Sequence, residues 1–75
     1  MNMIYSGETL FVDLNGDSEF IDFNYVKTRV FNVLDQYDIE NVIINTSGLF
    51  NINKNKIASL KRDYYKTYNG NIRIN

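Results

Sequence analysis

The sequence predicts a small α/β domain whose strands and helices follow the order ββαβαβ. Two short apolar segments flank a glycine-containing connection near the start of the chain, which is typical of a β-hairpin. A β-branched run at residues 42–44 separates two segments in which apolar residues recur at helical spacing. Two isoleucines after an Asn-Gly pair supply a last strand. We therefore expect a four-stranded mixed sheet with two helices on one face.

The composition describes one small globular domain. The chain has 75 residues, of which 44% are hydrophobic and 15% aromatic. A domain of this length buries only about 60% of the surface that its unfolded chain exposes, so its core is modest. No Pro/Gly/Ser-rich linker or internal repeat divides the sequence, and we expect residues 1–75 to form a single domain.

Several functional classes are disfavoured by the residue types. The chain has no cysteine and no histidine, which removes disulfides, thiol nucleophiles, Cys/His zinc sites and the commonest general base. Its carboxylates and lysines show no paired spacing typical of catalysis, so we expect a protein that is not an enzyme and has no cofactor or metal. No apolar stretch suits a membrane span, and the N-terminus lacks a signal pattern, so we expect a cytoplasmic protein.

The charges are segregated although the net charge is only −1. Residues 1–40 hold eight acidic residues and two basic ones, whereas residues 41–75 hold six basic residues and one acidic one. Most of these bases fall on the second predicted helix. The pattern suits a solvated helix face, and it also suits a surface that binds an acidic partner.

The first half of the chain predicts a hairpin and a helix. Residues 3–5 and 9–14 are the strands around the connection at residues 6–8, and Asn15-Gly16-Asp17 is a turn. Asp22 is a suitable N-cap for a helix over residues 23–37. Its apolar stripe is formed by Phe23, Val26, Val30, Val33, Leu34 and Tyr37.

The second half predicts a buried strand, a helix and a final strand. Asn53 is a suitable N-cap, and Asn69-Gly70 is a typical helix stop. The helical stripe is Ile57, Leu60, Tyr64 and Tyr68. Because parallel crossovers are right-handed, sequential strands place both helices on one sheet face. Phe11 and Ile43 then lie on the other face, which offers a surface for a homodimer or another partner.

Three apolar residues and an Asn at 42–45, then Ser47-Gly48-Leu49, then residues 52–56 and the helical Ile57 and Leu60 follow one another in the chain. This series of motifs resembles the STAS domain, the fold of bacterial anti-sigma factor antagonists. Residues 42–45 match the family's apolar-apolar-apolar-Asp, and Ser47-Gly48-Leu49 matches its Ser-Gly-apolar loop. Residues 52–56 fall without a gap on its Ile-Asp-Ser-Ser-Gly. Upstream, residues 14–17 resemble the end of its second strand. The similarity spans nearly the whole chain, which corresponds to about the first two-thirds of a typical member.

The resemblance implies a non-enzymatic protein-binding module of transcription regulation, of the kind used in sporulation and other partner-switching systems. The implied partner is an anti-sigma-factor-like kinase or another acidic protein surface. Lys54 occupies the position of the family's phosphorylated serine and Lys56 replaces the glycine after it, so the phospho-switch is absent at this position. The predicted partner-binding residues are Ser47, Asn53, Lys54, Asn55 and Lys56.

Two other functions are compatible with the residues. The chain has the size of a small phage or bacterial inhibitor or adaptor protein of unrelated function. The second helix interleaves basic residues with Tyr64, Tyr65 and Tyr68, a pattern that suits nucleic-acid binding by charge and base stacking. Two of these tyrosines lie on the predicted core stripe, which favours a structural role for them.

Overall fold

A computed structural model describes residues 1–14, 21–47, 49 and 53–75. The predicted turn at Asn15-Gly16-Asp17 and the positions of Gly48 and Ile52 in the family resemblance lie outside the described residues. The elements are β1 (Asn2–Ser6), β2 (Thr9–Asp13), α1 (Phe23–Gln36), β3 (Asn41–Asn45), α2 (Lys54–Thr67) and β4 (Asn71–Ile74).

The strands form one sheet in the order β1-β2-β3-β4. β1 is antiparallel to β2, whereas β2, β3 and β4 are parallel to one another. The prediction of a four-stranded mixed sheet with two helices is therefore confirmed. β3 has a hydrogen-bonded neighbour on each side, so the apolar strand at residues 42–44 is interior as predicted.

Strand alternation divides the sheet into a covered face and an open face. Every second residue of β2, β3 and β4 packs against the helices, and Val12, Ile44 and Tyr64 are among the most deeply buried side chains. Both helices contribute to the same apolar core, so they cover the same face. The buried apolar residues are Leu10, Val12, Leu14, Phe23, Val26, Val30, Leu34, Val42, Ile44, Leu60, Tyr64 and Ile72.

The helix caps follow the predicted chemistry at both N-termini. The Asp22 carboxylate accepts a hydrogen bond from the Asn24 backbone N–H at 3.0 Å, and Asn53 caps α2 in the same way. The helices are also joined by an ion pair between Lys27 Nζ and Asp63 Oδ2 at 2.8 Å. The hydrogen bond from Lys27 is the main cause that lowers the pKa of Asp63.

The end of α1 differs from the prediction. Tyr37 is not part of the apolar stripe but is the C-cap, with an extended backbone and a half-exposed side chain. Its ring lies against the Tyr5 ring at a centroid distance of 5.4 Å. Tyr37 therefore contacts β1 rather than the apolar core.

Glycine is needed at position 70 for a different reason from the predicted one, which was to end the helix. α2 ends at Thr67, Tyr68 is the extended C-cap, and Gly70 has no positive φ. A Cβ at this position would overlap the Glu40 carbonyl oxygen and the Tyr64 hydroxyl. That carbonyl also accepts the Asn71 N–H at 2.8 Å, which starts the pairing of β4 with β3. Glycine is required here because two backbone segments meet closely.

This contact predicts a large difference between two glycine substitutions. Gly70→Ala should lower the free energy of unfolding by about 3 kcal/mol or more, because the obstacle is backbone and cannot move aside. Gly7→Ala should cost only about 1 kcal/mol, because Gly7 has a φ of 60° but no atom within 4 Å of the added Cβ. Urea denaturation of both variants makes the comparison, and equal losses would contradict the close-approach account.

Candidate functional site

The candidate site begins where β3 ends, at the carboxyl edge of the sheet. The Asn45 side-chain oxygen accepts the Ser47 N–H at 3.0 Å, which forms an Asx turn. Thr46 is buried, and both its N–H and its hydroxyl donate to the Asn75 carbonyl, at 2.8 and 2.6 Å. These bonds fix the chain as it leaves the sheet and place Ser47 at the surface.

The first turn of α2 forms the other part of the site. The Asn53 side-chain oxygen accepts the N–H groups of Asn55 and Lys56 at 2.9 and 3.2 Å. The Asn53 carbonyl accepts the Ile57 N–H at 3.1 Å. These bonds satisfy the backbone N–H groups of Asn55, Lys56 and Ile57, which reduces the number of backbone donors that this helix start could offer to a ligand.

The electrostatics of this helix start are positive. Lys54 and Lys56 are exposed, and the first turn of α2 contains no acidic residue. The helix macrodipole adds about half a positive charge at the same end. Two cations at a helix N-terminus disfavour the helix by a few tenths of a kcal/mol each, and a nearby carboxylate from another molecule would relieve this.

The predicted site residues therefore lie at one edge of the fold, in two groups. Ser47 follows β3, while the other predicted residues form the N-cap and first turn of α2. The residues between these groups are only partly described. Asn53, Lys54, Asn55 and Lys56 are all exposed, but the Asn53 side-chain oxygen is engaged as the cap, which leaves Lys54, Asn55 and Lys56 as the exposed side chains without a capping role. Phe11 and Ile43 lie on the open sheet face, as predicted.

The opposite edge of the sheet contains an acidic depression that the sequence did not predict. Its volume is about 480 Å³. Three separate segments form it, which is why no local motif marks it, although Tyr37, Asp38 and Glu40 are a partial signal in the sequence. Its lining residues are Glu8, Leu34, Tyr37, Asp38, Ile39, Glu40, Tyr68, Asn69 and Gly70.

Tyr64, Tyr65 and the C-cap Tyr68 differ in how far their rings are exposed to solvent. Tyr64 is fully buried, and Tyr68 donates its hydroxyl proton to the Asp35 carboxylate at 2.6 Å. Burial, followed by this hydrogen bond, raises the pKa of Tyr68 to about 12. Of the three, only Tyr65 exposes about half of its surface. Base stacking along this helix would therefore have one exposed ring.

The described residues contain neither a metal-binding cluster of acidic side chains nor a membrane-spanning helix. No group of three acidic side chains there is arranged to hold a metal ion. Within the same part of the chain, no helix has the length and apolarity needed to cross a bilayer.

Comparison of the chain with family models, with curated proteins and with solved structures finds no match. The relation to STAS domains thus stays a prediction from the residues quoted above. The structure shows where in the fold the described residues of these motifs lie.

The contact between Tyr68 and Asp35 predicts a loss of stability in alkali. The pKa of Tyr68 rises from 10.0 to about 12 on folding, so the folded state holds this proton more tightly than the unfolded state. Its contribution is fully present below pH 10 and is lost as the pH rises towards 12. Tyr68→Phe should flatten the fall in unfolding free energy over this range, as measured by urea denaturation at a series of pH values.

An unchanged alkaline slope in Tyr68→Phe would contradict this assignment. Burial also raises the pKa of Tyr64, so some slope should persist in the variant. Tyr25→Phe is a suitable control, because Tyr25 is exposed on α1.

Proposed function

We propose that the chain is a non-enzymatic protein-binding module, similar to anti-sigma factor antagonists, that binds an acidic protein surface through the start of α2. The binding residues are Lys54, Asn55 and Lys56, with Ser47 at the neighbouring strand end. The single observation that carries the proposal is the exposed lysine pair at a helix N-terminus that has no acidic side chain in its first turn.

The position of Lys54 supports the link to the family. Asn53 is the N-cap and Lys54 is the first residue of α2. The resemblance aligns Lys54 with the serine that the family phosphorylates at a helix start. The two sequence positions therefore have the same local setting, a strand that leads through a loop into a capped helix.

The distribution of charged side chains over the two edges of the sheet would orient an acidic partner as it binds. The lysines lie at the carboxyl edge of the sheet, whereas Glu8, Asp38 and Glu40 surround the depression at the opposite edge. An acidic partner is attracted by the lysine pair and repelled by these three carboxylates, while Asp13 and Asp22, which also lie towards the carboxyl edge, reduce the attraction there. Such an arrangement orients a partner before contact and speeds association.

In the family, phosphorylation of the serine controls partner binding, and Lys54 at the corresponding position would remove this control. Phosphorylation adds negative charge at the helix start and releases the partner. Lys54 has no hydroxyl to accept a phosphoryl group, and its charge is opposite to that of a phosphate. Binding is therefore constitutive with respect to serine kinases at this position, and the affinity falls as the salt concentration rises.

Lys54→Glu tests the site directly. The binding partner is first isolated from the native host with the wild-type chain, and its affinity is then measured with purified proteins at several salt concentrations. Lys54→Glu should weaken binding more than about tenfold and reduce its salt dependence, because an attractive charge becomes repulsive. A partner that binds the variant as tightly as the wild type would refute the site.

Lys61→Glu is the matched control. Lys61 is exposed on the same helix, seven residues further on, and its substitution changes the net charge equally. Its effect on affinity should be less than about threefold if the helix start is the site. Lys54→Glu should also stabilise α2 by a few tenths of a kcal/mol through the macrodipole, so a loss of binding cannot be attributed to unfolding.

A further inference from the structure

The open sheet face is organised as three rows that run across the strands. The middle row is Ile4, Phe11, Ile43 and Arg73, which are register partners on β1 to β4. The row towards the amino edge is polar and consists of Ser6, Thr9, Asn41 and Asn71. The row towards the carboxyl edge begins with Asn2, Asp13 and Asn45.

The middle row exposes apolar surface that the described part of the chain leaves uncovered. Ile4 is 58% exposed and Phe11 is 43% exposed, although both lie within strands. A shallow cavity of about 320 Å³ adjoins them, lined by Ile4, Phe11, Ile43 and the polar row next to them. A continuous apolar row on a sheet face between two polar rows is typical of a surface that packs against another layer.

We propose that the occupant of this face is a second copy of the chain, related by a two-fold axis that runs parallel to the strands between β2 and β3. This rotation keeps each row in place and exchanges β2 with β3 and β1 with β4. Phe11 of one copy then faces Ile43 of the other, and Ile4 faces Arg73. The contacts are isologous, as a closed dimer requires.

Charge complementarity selects this axis. Arg73 of one copy comes to lie over Ile4 of the other, one strand and one row from Asp13. A guanidinium on its long side chain can reach across that separation to the carboxylate, and the symmetry makes the pair twice. A two-fold axis along the middle row would instead place Arg73 against Arg73. The like charges disfavour that alternative.

The area of the open sheet face determines how strongly two copies of the chain are expected to associate. Three strand spacings of about 4.8 Å and four residue rises of about 3.3 Å define the backbone area of the contact. These dimensions give a backbone footprint of about 190 Å² on each copy and about 400 Å² for the two, so the contact is smaller than the roughly 1,200–2,000 Å² of standard specific interfaces. The dimer is therefore weak and dependent on concentration.

The arrangement leaves the proposed binding site accessible and does not depend on it. An axis parallel to the strands keeps both carboxyl edges at the same end of the dimer. The two Lys54 sites then point in the same direction, which allows one partner with two acidic surfaces to engage both.

Sedimentation equilibrium over low to high micromolar concentrations tests the dimer. The wild type should associate reversibly, and Phe11→Asp should weaken association more than about tenfold because it places a charge in the apolar row. Tyr25→Asp is the control, because Tyr25 has a similar exposed fraction but lies on α1. Circular dichroism and thermal melting identify any variant that fails to fold.

A charge reversal tests the two-fold arrangement itself. Arg73→Glu and Asp13→Arg should each weaken association, and the double variant should recover at least half of the loss in association free energy. A wild type that stays monomeric throughout, or a Phe11→Asp variant that associates like the wild type, would overturn the proposal. Failure of the folded double variant to recover would overturn the proposed axis.

Discussion

The sequential order of the strands is the constraint on which the rest of this structure depends. β2, α1 and β3 form one parallel crossover, and β3, α2 and β4 form the next in the same direction. Because such crossovers are right-handed almost without exception, both helices fall on one side of the sheet. Alternation then gives each strand one buried set of side chains and one open set. The core and the exposed apolar row have this common origin.

The same strand order places the start of α2 and the Glu40–Gly70 contact at opposite edges of the sheet. The loop that leaves β3 leads to the start of α2 at the carboxyl edge, where the lysines lie. The helices return at the amino edge, where Glu40 meets Gly70 and Tyr64 is enclosed behind them. The charges are thus only partly separated: Lys54 and Lys56 lie at the carboxyl edge together with Asp13 and Asp22, whereas Glu8, Asp38 and Glu40 lie at the amino edge.

Local patterns predicted most of the fold. The caps at Asp22 and Asn53, the interior strand at residues 42–44 and the open-face positions of Phe11 and Ile43 depend on chemistry within a few residues or on strand alternation. The predictions that were wrong, and the feature that was not predicted, depend on contacts between residues far apart in the sequence. Tyr37 packs against Tyr5 of β1 instead of the core, and the role of Gly70 is set by a carbonyl thirty residues earlier. The capped start of α2 with its exposed lysines was predictable from the sequence, whereas the acidic depression required three distant segments.

The central claim is that one sheet face is covered by helices while the other is open in the single chain and closed by association. NMR with a soluble paramagnetic probe measures this directly through the relaxation of isoleucine methyl groups. In dilute solution the Ile4 methyls should relax strongly and those of Ile44 should not, and Ile4 should become protected as the protein concentration rises. Ile4 methyls that are as protected as those of Ile44 in dilute solution would contradict the account.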